Sequence, residues 1–200
     1  MENALGSIAS IRSGISFRET IRHVEGGCIA IVQAGDIDAD GVIDTEGLLR
    51  VVNLPMQKSA PLVAVGDVLL QSRGLSYRAG VVPSHAKPIV ATASVLVISP
   101  GPAVRPAYLA HFLNDPVTQA ELRTLATGAT IANLKRSSLE QLQVLVPSIE
   151  DQERIVAYGE TLREISRLET RLAELRRTEL RALLEECSKR NRKRVNAPGS

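Results

Sequence analysis

Three patterns in the sequence predict an α+β fold, a β-rich domain with small peripheral helices followed by one long helix of coiled-coil type. Short β-branched runs separated by glycine turns fill the first hundred residues. Near Pro106 the apolar spacing changes from strand-like to helix-like. After Pro147 a single narrow apolar stripe runs down an otherwise charged segment. These patterns divide the chain into a compact domain over 1–147, a long helix over 148–187 and a basic tail over 188–200 that reads as disordered.

The runs that predict strands are 28–33, 48–52, 68–71, 79–82, 89–98 and 143–146, with Gly26-Gly27, Asp40-Gly41, Gly66-Asp67 and Gly101-Pro102 as turns. Pro106 suits a first helical position, and Tyr108, Leu109, Phe112 and Leu113 form the apolar stripe of a short helix. Asp115-Pro116 ends it, and a second short helix runs from Val117 to Leu125, closed by Gly128. Ser148 followed by Asp151 three residues later makes a capping-box-like start for the long helix. From there Ile155, Tyr158, Leu162, Ile165, Leu168, Leu172 and Leu175 recur every three or four residues. Thirty-six residues give a rod on the order of 50 Å. A helix this polar needs a partner for its seam, which predicts a homodimer or a helix from another subunit.

Hydrophobic residues make up 44% of the 200-residue chain, enough to bury a core. No Trp, two Phe and three Tyr argue against recognition of single strands by base stacking. Cys28 and Cys187 lie far apart and suit a reducing cytoplasm better than a disulfide framework. With no charged-then-apolar leader pattern and no apolar run long enough for a bilayer, a soluble cytoplasmic protein is expected. Net charge is only +2, but it is unevenly placed. Residues 1–148 carry twelve basic and twelve acidic side chains, yet no acid lies between Asp67 and Asp115, where Arg73, Arg78, Lys87 and Arg105 fall. The tail adds Lys189, Arg190, Arg192, Lys193 and Arg194 with no acid.

Catalytic motifs are missing: there is no phosphate-binding glycine loop, no G-x-G-x-x-G after a strand and no nucleophile elbow. His23, His85 and His111 have no metal-ligand spacing. Asp36, Asp38, Asp40 and Asp44 with Gly41 imitate a calcium loop, but its twelfth position is Gly47 and the upstream segment reads as a strand. An acidic Asp-Gly turn is the better reading, and neither a metal nor a cofactor is expected. Two loops are more suggestive. The first, after the strand at 68–71, carries Arg73, Ser76, Tyr77 and Arg78 with no acid nearby; the second, 127–136, combines small residues with Thr130, Asn133, Lys135 and Arg136. Arginine can read a guanine edge or hold phosphate, hydroxyls can hold the backbone, and small residues permit close approach. Solvated loops with no ligand would look similar.

Taken together and in order, several segments resemble the specificity subunits of type I restriction–modification systems. They are Ile11-Arg-Ser-Gly14, Val32-Gln-Ala-Gly-Asp36-Ile, Gly66-Asp-Val-Leu-Leu-Gln-Ser-Arg-Gly74, Pro106-Ala-Tyr-Leu-Ala-His-Phe-Leu113, Ala126-Thr-Gly-Ala-Thr-Ile131 and Leu145-Val-Pro-Ser-Ile-Glu-Asp-Gln-Glu-Arg-Ile155. The resemblance covers about residues 5–185. It implies a β-rich target-recognition domain and spacer helix, a subunit without catalysis of its own that reads half of a bipartite double-stranded DNA site. It also implies partners: adenine methyltransferase subunits, with a translocating restriction subunit joining the larger complex. Such subunits usually hold two recognition domains and two spacer helices, whereas this sequence has one of each, so a homodimer would restore the pair. Packed antiparallel, two such helices would hold two heads on the order of 50 Å apart, roughly one and a half turns of B-DNA. In this frame the residues expected to meet DNA are Arg73, Ser76, Tyr77, Arg78, Lys87, Thr130, Lys135 and Arg136, with Gln33 at the end of the first strong strand. The competing readings are a coiled-coil adaptor whose head binds protein, and a calcium-regulated protein built on the acidic turn.

Overall fold

The structure, a computed structural model, describes residues 2–17, 20–54, 62–74, 76–128 and 132–195, with side chains described as far as Glu186. In chain order the elements are β1 (Glu2–Ala4), α1 (Leu5–Ile8), β2 (Ala9–Ser13), β3 (Ile29–Val32), β4 (Leu49–Val51), β5 (Leu62–Val63), β6 (Val68–Gln71), β7 (Ala79–Val81), β8 (Ile89–Ala91), β9 (Val95–Pro100), α2 (Pro106–Asn114), α3 (Pro116–Leu125), α4 (Arg136–Leu139), β10 (Gln143–Leu145) and α5 (Ile149–Val195). They fall into two compact units, Met1–Val156 and Ala157–Ser200.

The first unit is layered. One antiparallel sheet has the order β2-β9-β6-β7; a second, mixed sheet has the order β4-β3-β8-β5, with β3 and β8 parallel. Strand residues alternate between layers as their pleat requires. Val68 and Leu70 of β6, with Leu96 and Ile98 of β9, face a core shared with Leu109 and Leu113 of α2 and Leu122 of α3. Leu69, Val95 and Val97 face the other way, onto Ala30, Val32, Ile89 and Ala91 of the second sheet. Ile31 and Val90 form the outer core of that sheet with Ile15. Buried on both faces, β6 and β9 read as continuous apolar runs, which is why they stood out in sequence.

Several predicted boundaries change. The run 89–98 is two strands in different sheets, because Thr92–Ser94 turn the chain: Val95 donates its backbone N–H to Thr92 O at 2.9 Å and the two hydroxyls meet at 2.9 Å. β1, α1, β2, β5 and α4 were not read from sequence; all are short, and β2 has Ile11 as its one large apolar residue in place of an apolar alternation. The long helix does not stop at 187 but continues to Val195, so the expectation of a disordered tail from 188 is corrected for residues 188–195; 196–200 lie outside the described residues.

The Gly66-Asp67 motif has a structural explanation. Gly66 turns the chain at φ +85°, and Asp67, 4% exposed, accepts from Ala64 N at 2.9 Å, Arg12 Nη2 at 2.8 Å and Ser99 Oγ at 2.6 Å. One carboxylate therefore ties together the hairpin start, β2 and β9. Edge strand β7 is closed by two amides. Asn114 accepts from Ala79 N and donates to Ala79 O, and Gln119 does the same at Tyr77. Backbone groups that would otherwise form an open sheet edge are thus paired.

Candidate nucleic-acid interface

The β6–β7 hairpin loop and the 127–135 loop, separate in sequence, are joined in the fold. Leu134 N–H donates to Ser72 O at 2.8 Å and Gly74 N–H to Ala132 O at 3.2 Å, which sets Arg73 opposite Asn133. Asn133 in turn exchanges backbone hydrogen bonds with Thr127, at 2.9 and 3.1 Å. Beneath this small ladder Gln71, 7% exposed, donates to Ala34 O and Ile37 O, and its Oε1 accepts from Ser76 Oγ at 3.2 Å. The end of β3, the Thr92–Ser94 turn and both cationic loops therefore meet at one edge of the first unit: Ser72 N–H also donates to Ser94 O at 2.9 Å.

Most of the residues expected to meet DNA gather at this edge. Arg73, Lys135 and Arg136 are exposed, and Ser76, Arg78 and Gln33 are half-buried. Arg136 is held by Glu140 at 2.7 Å in a surface pair one helical turn apart, so part of its charge is already answered. One expectation needs correction, and one residue lies away from this edge. Tyr77 is a core residue, 1% exposed among Leu70, Leu96 and Leu109, and burial pushes its hydroxyl above the ordinary value against the lowering pull of Arg123. Its neighbours' polarity suggested a loop, but the chain has by then turned inward toward β7. Lys87 stands at the opposite end of β3 from Gln33, with Nζ donating to Gly27 O at 3.4 Å just before that strand begins. Thr130 lies outside the described residues. Thr127 and the Thr92–Ser94 turn were not singled out, and Asn133, noted as the amide of its loop, was not among the residues expected to meet DNA; the pairing of distant loops brings all of them forward.

The acidic turn uses its carboxylates locally. Asp36 accepts from Gln33 N at 2.8 Å, Asp38 from Asp40 N at 2.9 Å and Val42 N at 2.7 Å, and Asp44 from Glu46 N at 3.1 Å. At Gly41, where φ is +77°, a Cβ would come within 2.4 Å of Ala79 O, so the Asp-Gly pair is needed to fit the turn against β7. Among the described residues no three potential ligand side chains are placed to hold a metal ion. Adding calcium at micromolar concentration is expected to leave the melting temperature unchanged in a thermal scan; a rise of several degrees would restore the calcium-loop reading.

The start of α5 belongs to the first unit and is built around Gln152, which is fully buried. Its Oε1 accepts from Arg105 N at 2.8 Å, and its Nε2 donates to Ala103 O at 2.9 Å and Pro147 O at 3.0 Å. Ser148 caps the helix as expected, its Oγ accepting from Asp151 N at 3.2 Å and donating to Asp151 Oδ2 at 2.8 Å. Beyond it the apolar stripe is uncovered: Tyr158 is 69% exposed, Leu168 60% and Leu172 47%, and Leu180 and Leu183 extend it past Leu175. No helix among the described residues is long and apolar enough to cross a membrane.

The first unit thus carries a polar loop edge, and α5 beyond it an exposed apolar stripe. Comparison with known proteins shows what this chain resembles. No family model matches the chain. The StySPI specificity subunit of a type I restriction enzyme from Salmonella potsdam is 22% identical over 162 residues, covering 79% of this chain and 35% of that protein. Among solved structures, a chain from work on complex assembly and conformational transition of the type I restriction–modification system aligns with a TM-score of 0.71 and 19% identity, covering 92% of this chain and 43% of that one. The HsdS subunit from Thermoanaerobacter tengcongensis aligns with a TM-score of 0.60 and 18% identity, covering 82% of this chain and 37% of that one. The type I S subunit from M. genitalium aligns with a TM-score of 0.56 and 15% identity, covering 82% of this chain and 39% of that one. The chain is thus similar in sequence and in fold to type I restriction–modification specificity subunits, and spans less than half the length of those it matches.

Proposed function

We propose that this chain is the non-catalytic DNA-reading component of a type I restriction–modification complex, its first unit recognising one half of a bipartite double-stranded site. The observation that carries this reading is the backbone ladder joining the two cationic loops, because it sets Arg73, Lys135 and Arg136 on one polar edge. Adenine methyltransferase subunits are the proposed catalytic partners, and a translocating restriction subunit the further one. A second copy of the chain, paired through α5, supplies the second head.

The test is duplex binding by the full chain together with its methyltransferase subunit, since a head with balanced charge binds DNA weakly alone. Changing Arg73 or Arg78 to Ala is expected to weaken the preferred sequence by about 1–3 kcal/mol if the side chain reads a base edge. Changing Lys135 or Arg136 should weaken all sequences alike and flatten the salt dependence, with the smaller effect at the Glu140-paired Arg136. Folded variants that all bind as the parent does would refute this DNA face and favour a head that binds protein.

A further inference from the structure

We infer that Asn133 and Arg73 read neighbouring base pairs of the half-site, Asn133 an adenine and Arg73 a guanine. The inference rests on the DNA-reading function proposed above and extends it to two named side chains, of which Asn133 stood outside the residues expected to meet DNA. In an antiparallel ladder, laterally paired residues project to the same face. Arg73 and Asn133 are flanked by the bonds Gly74 N–Ala132 O and Leu134 N–Ser72 O and exchange none themselves. That is the pairing in which the two Cα atoms are closest, about 4.5 Å apart. Thr127, bonded to Asn133 on its other side, completes a row of hydroxyl, amide and guanidinium across three strands.

The row is available to a ligand. Arg73 and Thr127 are exposed and Asn133 is half-buried. Among the described residues none of these three side chains has a hydrogen-bond or ion-pair partner. Gly74, Gly128 and Ala132 flank them with little or no side chain of their own. The chemistry of each group then selects its target. A primary amide matches adenine N6 and N7 by donating and accepting together, and a guanidinium matches guanine O6 and N7 with two donors. Two side chains about 4.5 Å apart at their origins match the rise of about 3.4 Å between stacked base pairs, so the two contacts fall on adjacent pairs and not on distant ones.

The experiment is selection from a pool of duplexes carrying a randomised segment, with the full chain and its methyltransferase subunit at fixed salt, followed by sequencing of the retained fraction. The parent chain should retain duplexes sharing a motif in which a G·C pair adjoins an A·T pair. Asn133→Ala should relax the A·T position by about 5- to 150-fold and leave the rest of the motif intact. Arg73→Ala should relax the adjoining G·C position by a similar factor. Asn133→Gln, which keeps the amide, should retain part of the adenine preference. Both backbone bonds of Asn133 to Thr127 survive these changes, so melting temperatures should stay at the parent value, and that measurement separates misfolding from lost reading. Relaxation at two separated positions, a uniform loss over all sequences, or an unchanged motif would overturn the assignment. A parent chain that retains no motif at all would instead refute the DNA-reading function on which it rests.

Discussion

Gln152→Leu is expected to destabilise the first unit by about 1–3 kcal/mol, because three part-buried backbone groups lose their partner together and water can answer some of them. Leucine fills nearly the same volume, so packing is almost preserved and the loss is polar. Arg105 N, Ala103 O and Pro147 O would face an apolar side chain in place of a fully buried amide. For a unit of this size the melting temperature should fall by roughly 5 °C. Glu153→Ala, one residue on, removes the ion pair with Arg105 at 2.8 Å, whose side chains are 52% and 60% exposed. Screening by solvent limits that loss to less than about 1 kcal/mol. Thermal unfolding of both variants side by side checks the claim: equal effects would mean that Gln152 does not lock the start of α5 to the loop before α2.

The contrast explains what sequence could and could not disclose. Ser148, Asp151 and the apolar stripe announce a helix through local rules, capping and periodicity, and the helix begins where they place it. β6, β3 and β8 were legible because burial on both faces makes their composition extreme. Gln152 carries no such signal, since a glutamine at a helix start looks solvated until the loop before α2 closes over it. The same holds at the candidate interface. Arg73 and Lys135 could be singled out by residue type, whereas Asn133 gains its meaning only from a non-local ladder. Tyr77 shows the opposite error: set between Ser76 and Arg78 it reads as a loop residue, yet the turn into β7 carries its ring into the core. Long-range pairing, not local pattern, decided these positions.

The largest effect is expected at the uncovered stripe of α5: Ile165→Asp combined with Leu172→Asp should convert a dimer into monomers with folded heads. Ile165 and Leu172 are 46% and 47% exposed, so each leaves apolar surface open to a partner helix. Full burial of an aliphatic side chain is worth about 1.5–3 kcal/mol, and the stripe repeats such residues along its length, so a partner helix has much to gain. An antiparallel second copy centred near Leu168 matches the pattern well, placing Ile155 by Leu183, Tyr158 by Leu180, Leu162 by Leu175 and Ile165 by Leu172. A parallel copy would instead set the five basic residues of 189–194 beside their own counterparts. In the antiparallel arrangement the two substitutions meet each other across the pair, so each dimer would bury four carboxylates in its central layers without cations to answer them. The heads should keep their melting behaviour, because both positions lie beyond Val156, where the first unit ends. Light scattering at micromolar concentration reads the outcome directly. A parent chain that is already monomeric, or a double variant that still dimerises, would show that this stripe is not a homodimer seam, and the second recognition head would then have to come from a different chain.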